Sequence, residues 1–188
     1  MRASKQHMEK IRGHILESSG QGFREEGYAG LGINALAKRA GMTSGAFYGH
    51  FSSKSQAFHE VIKQGMLDYQ ETLASFQRAK GAGWIHDFLD FYLSEKHVND
   101  LAHSCVVPAL SPDVMRADEA TKEIYANELD KVAVLLSKGL QTTNKSNALA
   151  LISLLAGTVM VARCASTKQQ QQEILDAARQ RANSLVAE

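Results

Sequence analysis

The sequence predicts an all-α protein in two parts: an N-terminal three-helix helix-turn-helix domain over residues 1–52, and a larger helical domain over 53–188 that a helix at 53–78 joins to it. Three observations carry this. Apolar residues recur at three- and four-residue spacing along most of the chain, and no stretch shows the strict alternation of a strand. Only two prolines in 188 residues leave long helices uninterrupted. The stretch Ile33 to Lys54 reads as helix, tight turn, helix.

The first helix extends from about Ser4 to Glu26, where Gly27 stops it, and Met8, Ile11, Ile15 and Phe23 mark its apolar face. Lys5, Lys10 and Arg12 lie near its start, facing solvent or a DNA backbone, and Tyr28 packs back on the helix-turn-helix. In the second helix Ile33, Leu36, Ala37 and Ala40 form the buried stripe, and Gly41 supplies a left-handed residue at its end. Thr43 caps the third helix by accepting a backbone N–H, while Met42 and Phe47 have the spacing of a hydrophobic staple. Phe47 and Phe51, one turn apart, cover the back of that helix. Outward remain Thr43, Ser44, Gly45, Ala46, Tyr48, Gly49 and His50: hydroxyls, an imidazole and small side chains that let a large ligand approach, as a helix in a DNA major groove requires.

Within this stretch Ala-Gly-x-x-x-Gly-x-Phe-Tyr-x-His-Phe-x-x-Lys, ending at Lys54, closely resembles the DNA-binding domain of the TetR family of bacterial regulators, over roughly residues 8 to 65. The resemblance implies a homodimeric repressor that a small molecule releases from its operator, with phosphate contacts at Thr43, Tyr48, His50 and Lys54. Two departures matter. Leu31 and Gly32 stand where many members carry Thr or Ser, which removes a capping hydroxyl. Gly49 stands where many carry an aromatic, His or other polar residue, which removes a base contact. Base discrimination is therefore expected to lean on the Ser44 hydroxyl, on thymine methyls against Ala46 and on DNA shape.

Ser53 opens the fourth helix, with Gln56 completing a capping box. Phe58, Val61, Ile62, Met66, Tyr69, Leu73 and Phe76 continue its stripe to about Arg78, giving a rigid element near 37 Å long at about 1.5 Å per residue. Gly65 within it marks either a flexible point or a close packing contact. Ala79 to Gly83 is a linker. Trp84 to Val98 is read as one helix whose aromatics, Trp84, Phe88, Phe91 and Tyr92, point two ways: toward a core, and toward a second side for which a ligand cavity is a candidate. His103 to Pro112 is expected to be irregular, with Ser111 or Asp113 capping a short turn. Asp118 or Ala117 begins a helix through Leu140 with Ile124, Leu129, Val132, Leu135 and Leu136 inward, and Thr142 to Ser146 form a loop. The run Ser-Cys-Val-Val-Pro-Ala-Leu from Ser104, followed by Asp113 to Arg116, is similar to a segment in one subset of TetR-type ligand domains.

Ala148 to Cys164 is apolar nearly all round and so is covered on two sides, while Gln170 to Ala187 carries a narrower stripe. The two read as a helical pair that completes its core against a second copy, with Ala148, Ile152, Leu155, Val159, Ile174, Ala178 and Leu185 at the interface. TetR-type dimers use their last two long helices in this way.

Residues 1–65 hold nine Lys and Arg against five Asp and Glu, and the remainder twelve against fifteen, so basic surface is concentrated with the helix-turn-helix as phosphate binding needs. Two cysteines exclude a disulfide framework, no leader pattern opens the chain, and Ala148 to Ala162 falls short of the roughly 20 residues that span a bilayer. A cytoplasmic protein without a membrane partner is expected. The seven histidines lack metal-ligand spacing, and neither a Gly-rich phosphate loop nor a nucleophile elbow is present, so no cofactor or metal is expected.

The effector pocket is expected among Met66, Tyr69, Trp84, Phe88, Tyr92, Cys105 and Tyr125. Cys105, two residues from His103, is either a thiol of lowered pKa open to an electrophile or oxidant, or a buried small hydrophobe. The expected function is a ligand-responsive repressor. The alternatives are a thiol-dependent enzyme with Cys105 as nucleophile and His103 as base, and a DNA-binding protein without an effector, which would have no use for an internal cavity.

Overall fold

A computed structural model of the chain describes residues 5–140 and 145–187. Among the described residues it is helical throughout, with α1 (Lys5–Gly30), α2 (Ile33–Arg39) and α3 (Ser44–Tyr48) at the N-terminal end. The long α4 (Lys54–Lys80) leads through a 3-10 turn at Gly81–Gly83 into α5 (Trp84–Tyr92), α6 (Glu95–Asn99), α7 (Val106–Val114), α8 (Glu119–Gly139), α9 (Lys145–Arg163) and α10 (Lys168–Ala187). α4 is the axis of the molecule, with α1, α5, α7 and α8 packed around it; α9 lies on α8, α7, α6 and α10.

Local chemistry explains most boundaries. α1 breaks at Gly27, whose φ of 73° is open to glycine and strained for other residues. Ile15 and Phe23 are fully buried, but Met8, expected on the same face, is exposed because residues 6–10 all run past the edge of the helices that α1 packs on. Ser53 accepts the Gln56 N–H at 3.0 Å, whereas the Gln56 side chain turns back to the N–H of Ser52 at 2.6 Å, one residue earlier than the expected capping box. Asp118 caps α8 by accepting from the Thr121 N–H at 2.9 Å.

Four segments differ from the sequence reading. α4 continues two residues into the expected linker, to Lys80. The single helix expected from Trp84 to Val98 is two, because Ser94 accepts the His97 N–H at 3.2 Å, donates its hydroxyl to the Phe91 carbonyl at 2.7 Å, and so starts α6 afresh. The segment expected to be irregular holds α7, which accommodates Pro108 in its first turn, where the missing N–H is not needed. Ser111 lies inside that helix and caps nothing; its hydroxyl donates to the Val107 carbonyl at 2.6 Å. Residues 142–144 of the expected loop lie outside the described residues, and Lys145 and Ser146 already belong to α9.

Two glycines set helix separations. A Cβ on Gly65 would sit 2.7 Å from the Val106 Cβ, so that residue marks a close α4–α7 contact. A Cβ on Gly139 would sit 2.5 Å from the Trp84 ring.

α9 is long and apolar enough to cross a membrane by length and composition, but Leu151, Ile152, Leu155 and Val159 are buried in the protein's own core. This corrects the expected interface. Ala148, Ile152, Leu155, Val159 and Ala178 all face inward within one protomer and offer nothing to a partner, while Ile174 and Leu185 are half-buried. The reason is that a helix apolar on every side has no periodicity to say which face turns outward. The outward stripe of α9 is Ser153, Gly157, Met160, Val161 and Cys164, spaced three and four apart.

Candidate DNA-reading helix and ligand cavity

The turn before α3 is closed by two backbone bonds, Met42 N–H to the Ala37 carbonyl at 2.9 Å and Gly41 N–H to the Lys38 carbonyl at 3.0 Å, around a Gly41 φ of 69°. Thr43 Oγ1 accepts the Ala46 N–H at 3.2 Å. Phe47 and Phe51 are fully buried, 5.5 Å apart between ring centroids, and hold the back of α3. Tyr48 is 53% exposed, Thr43, Gly45, Ala46 and Gly49 are open, and His50 is half-buried. The outward set expected from the sequence therefore shares one face, with one qualification. The Ser44 hydroxyl donates to Asn34 Oδ1 at 2.6 Å, so its proton is committed across the turn and the oxygen is left to accept.

The cations are more engaged than the sequence suggests. Arg12, expected at solvent or DNA, donates to the His50 carbonyl at 2.5 Å, pairs with Glu60 at 3.2 Å and lies over the Phe51 ring at 4.3 Å, which ties α1 to the end of the reading helix. Lys54 Nζ rests 4.1 Å from the centroid of the Tyr28 ring. Tyr28 in turn meets Phe58 at 4.9 Å and Phe23 at 5.8 Å, packing on α4 and α1. Asn34, which takes the Ser44 proton, and Lys38, exposed in the last turn of α2, carry no sequence signal beyond a polar residue on the open side of a buried stripe.

A cavity of about 130 Å³ lies between α1, α4, α5 and the segment leading into α7. Of the expected pocket residues it gathers Tyr69, Phe88, Tyr92 and Cys105, and adds Arg24, Phe91 and His97. Three expected members do not line it. Met66 is fully buried, Trp84 is turned toward Gly139, and the Tyr125 hydroxyl pairs with Ser111 Oγ at 2.7 Å.

The polar groups around the cavity are specifically placed. His97 Nδ1 donates to the Tyr92 carbonyl at 2.6 Å and its Nε2 accepts the Cys105 N–H at 3.0 Å, which fixes a neutral tautomer; burial holds its pKa below the usual value. Burial likewise pushes the Cys105 thiol up, against the opposing pull of a hydrogen bond from Tyr92 and the positive charges of Arg24 and Arg163. Of the two readings of Cys105 this favours the buried small hydrophobe over the low-pKa thiol, because desolvation outweighs the neighbouring cations. His103 does not serve as its base, since His103 Nδ1 bonds to Asp100 at 2.9 Å and its Nε2 meets Gln21 at 3.3 Å. Among the described residues no cluster of three His, Cys, Asp or Glu side chains is suited to a metal. The Tyr69 hydroxyl and Arg24 Nε are buried without a hydrogen-bond partner.

Residues 15–61 match the family described as bacterial regulatory proteins, tetR family. The chain is 34% identical over 65 residues to the HTH-type transcriptional repressor DhaR of Mycobacterium sp. (strain GP1), a match that spans 35% of this chain and only 33% of the relative. It is 23% identical over 141 residues to the HTH-type transcriptional repressor NemR of Escherichia coli (strain K12), spanning 73% of this chain and 71% of that one. The crystal structure of a reduced form of E. coli NemR covers 90% of this chain and 95% of its own at a TM-score of 0.73 and 20% identity. A TetR transcriptional regulator from Chloroflexus aurantiacus J-10-FL covers 97% of each at 0.81 and 19%. At these identities the structural matches establish the fold.

Proposed function

The chain belongs to the TetR family of bacterial regulators, and from that premise we propose that it is a DNA-binding transcriptional repressor, acting as a cytoplasmic homodimer, that leaves a pseudo-palindromic operator when a small molecule enters the cavity beside Tyr69 and Cys105. One observation carries the reading: α3 is locked at its start by the Thr43 cap and behind by Phe47 and Phe51, and presents an open face. Thr43, Tyr48, His50 and Lys54 are assigned to phosphates, and Ser44, Gly45, Ala46 and Gly49 to the groove. Residues 1–52 are the reading head and 53–188 the effector and dimerisation domain.

Dimerisation is assigned to the outward stripe of α9, Gly157, Met160 and Val161, with the exposed side of α10 around Ala177. Two heads then meet half-sites about one helical turn apart. α4 runs from the head at Lys54 to the cavity wall at Tyr69, so a ligand that favours one position of α4 changes the separation of the heads. The raised thiol pKa favours a reversible ligand over an electrophile or oxidant acting at Cys105.

Selection from a randomised duplex pool tests the reading. Enrichment of a two-fold symmetric sequence, bound by the dimer and lost on Tyr48→Ala, is the expected result; binding without sequence preference overturns it.

A further inference from the structure

We propose that the effector is a small carboxylate carried on a single aromatic ring, with its anionic group held by Arg24 and Tyr69 and its ring against Phe88 and Tyr92. The proposal rests on the effector reading above and names the ligand class for that cavity.

Tyr69 is the first observation. Its side chain is 95% removed from solvent, it lines the cavity, and its hydroxyl has no partner. Burial raises its pKa well above the usual value, so at neutral pH it is a donor in want of an acceptor. Arg24 is the second. It lines the same cavity, its Nε is buried and unpartnered, and it forms no ion pair among the described residues. Two donors, one of them cationic, thus border one space whose only lining carboxylate is the exposed Asp68, an arrangement that a ligand carboxylate satisfies.

The charges nearby agree. Arg24 and Arg163 both favour negative charge at Cys105, yet the buried thiol stays protonated, so the positive potential is left for an incoming anion. Asp68 is the opposing group: it lines the cavity and is attracted to Arg24. It stands exposed, accepts from Gln64 Nε2 at 2.8 Å and is screened by water, whereas Arg24 is largely desolvated. His97 is held neutral by burial, with Nε2 accepting the Cys105 N–H, and adds no charge. Size sets the scaffold. The cavity of about 130 Å³ is close to the roughly 150 Å³ that holds a benzene ring. Phe88, Phe91 and Tyr92 offer ring faces and edges.

Arg24 also explains why such a ligand would act at a distance. It is the lining residue contributed by α1, the first helix of the reading head, while Tyr69 and Tyr92 belong to α4 and α5. A carboxylate that bridges them draws the head toward the effector domain, the differential contact that a population shift needs.

Calorimetric titration of the full-length dimer with benzoate, benzamide and benzylamine tests the idea, alongside release of the operator selected above. Benzoate should bind at least about tenfold tighter than the neutral amide, the worth of one charge-assisted bond, and benzylamine weakest. Arg24→Met should erase the preference for benzoate and uncouple binding from operator release; Arg24→Lys should keep the preference, and Tyr69→Phe should weaken benzoate about tenfold. Equal binding of benzoate and benzamide, tighter binding of benzylamine, or no binding by any of the three overturns the carboxylate assignment. Operator release by benzamide would leave the effector reading standing while the carboxylate falls; failure to select an operator would remove the repressor reading while calorimetry still decides the cavity.

Discussion

His97 Nε2 accepts the backbone N–H of Cys105 at 3.0 Å, so a side chain of α6 closes the first turn of α7, whose early N–H groups have no partner within the helix. The same ring donates through Nδ1 to Tyr92, a bond that survives protonation, whereas Nε2 can accept the Cys105 N–H only while the imidazole is neutral.

That arrangement fixes a pH dependence. The folded pKa of His97 is lowered by burial, so between it and the ordinary value near 6.5 the unfolded chain binds a proton that the folded chain refuses. Stability from His97 is complete above about pH 6.5 and is lost as pH falls through the folded value. Urea midpoints should therefore drop between pH 7.5 and pH 5.5, and by less in His97→Gln; an equal drop in both would assign the dependence elsewhere.

Gly65→Ala should destabilise the fold by about 1–3 kcal/mol, because the added methyl meets Val106 at a distance that neither backbone can yield freely. Adding Val106→Gly removes the obstructing Cβ, so the double variant should recover part of the loss relative to Val106→Gly alone. Strict additivity in denaturant midpoints would show that the two helices are not in contact there.

Much of this was legible in the sequence because it is local. Gly41, Thr43, Ser53 and Asp118 announce helix ends through their own backbone and side-chain chemistry, and all four do as expected. Ser94 carries the same kind of signal, obscured by the apolar residues on either side of it. What stayed hidden is tertiary. Arg24 reads as an ordinary surface cation until α4 and α5 close over it, and the outward face of α9 is defined only by which of its sides α7, α8 and α10 occupy.

The two faces of α9 should respond differently to charge. Val161→Glu, on the exposed stripe, should yield folded monomers of unchanged helicity, whereas Ile152→Glu, inside the protomer, should unfold the chain. Sedimentation and circular dichroism separate the outcomes; an intact Val161→Glu dimer would move the interface off this stripe.

Lys54→Ala should weaken specific and non-specific DNA binding alike and flatten the salt dependence by about 0.9 in log K per log salt for the phosphate contact it removes. Tyr28→Leu, which takes away the ring beneath the ammonium, should leave that slope and lower affinity through looser positioning. A slope unchanged in Lys54→Ala would exclude that lysine from the footprint.

α3 has five residues, about 7.5 Å of helix at 1.5 Å per residue, little more than two base-pair steps of about 3.4 Å each. So short a reader extracts few bits from each half-site, while a genome presents on the order of a million or more competing addresses. In the proposed dimer, uniqueness is then a property of the pair, arising from symmetry, spacing and the stiffness of untouched base pairs, and its operator is better described by shape than by letters.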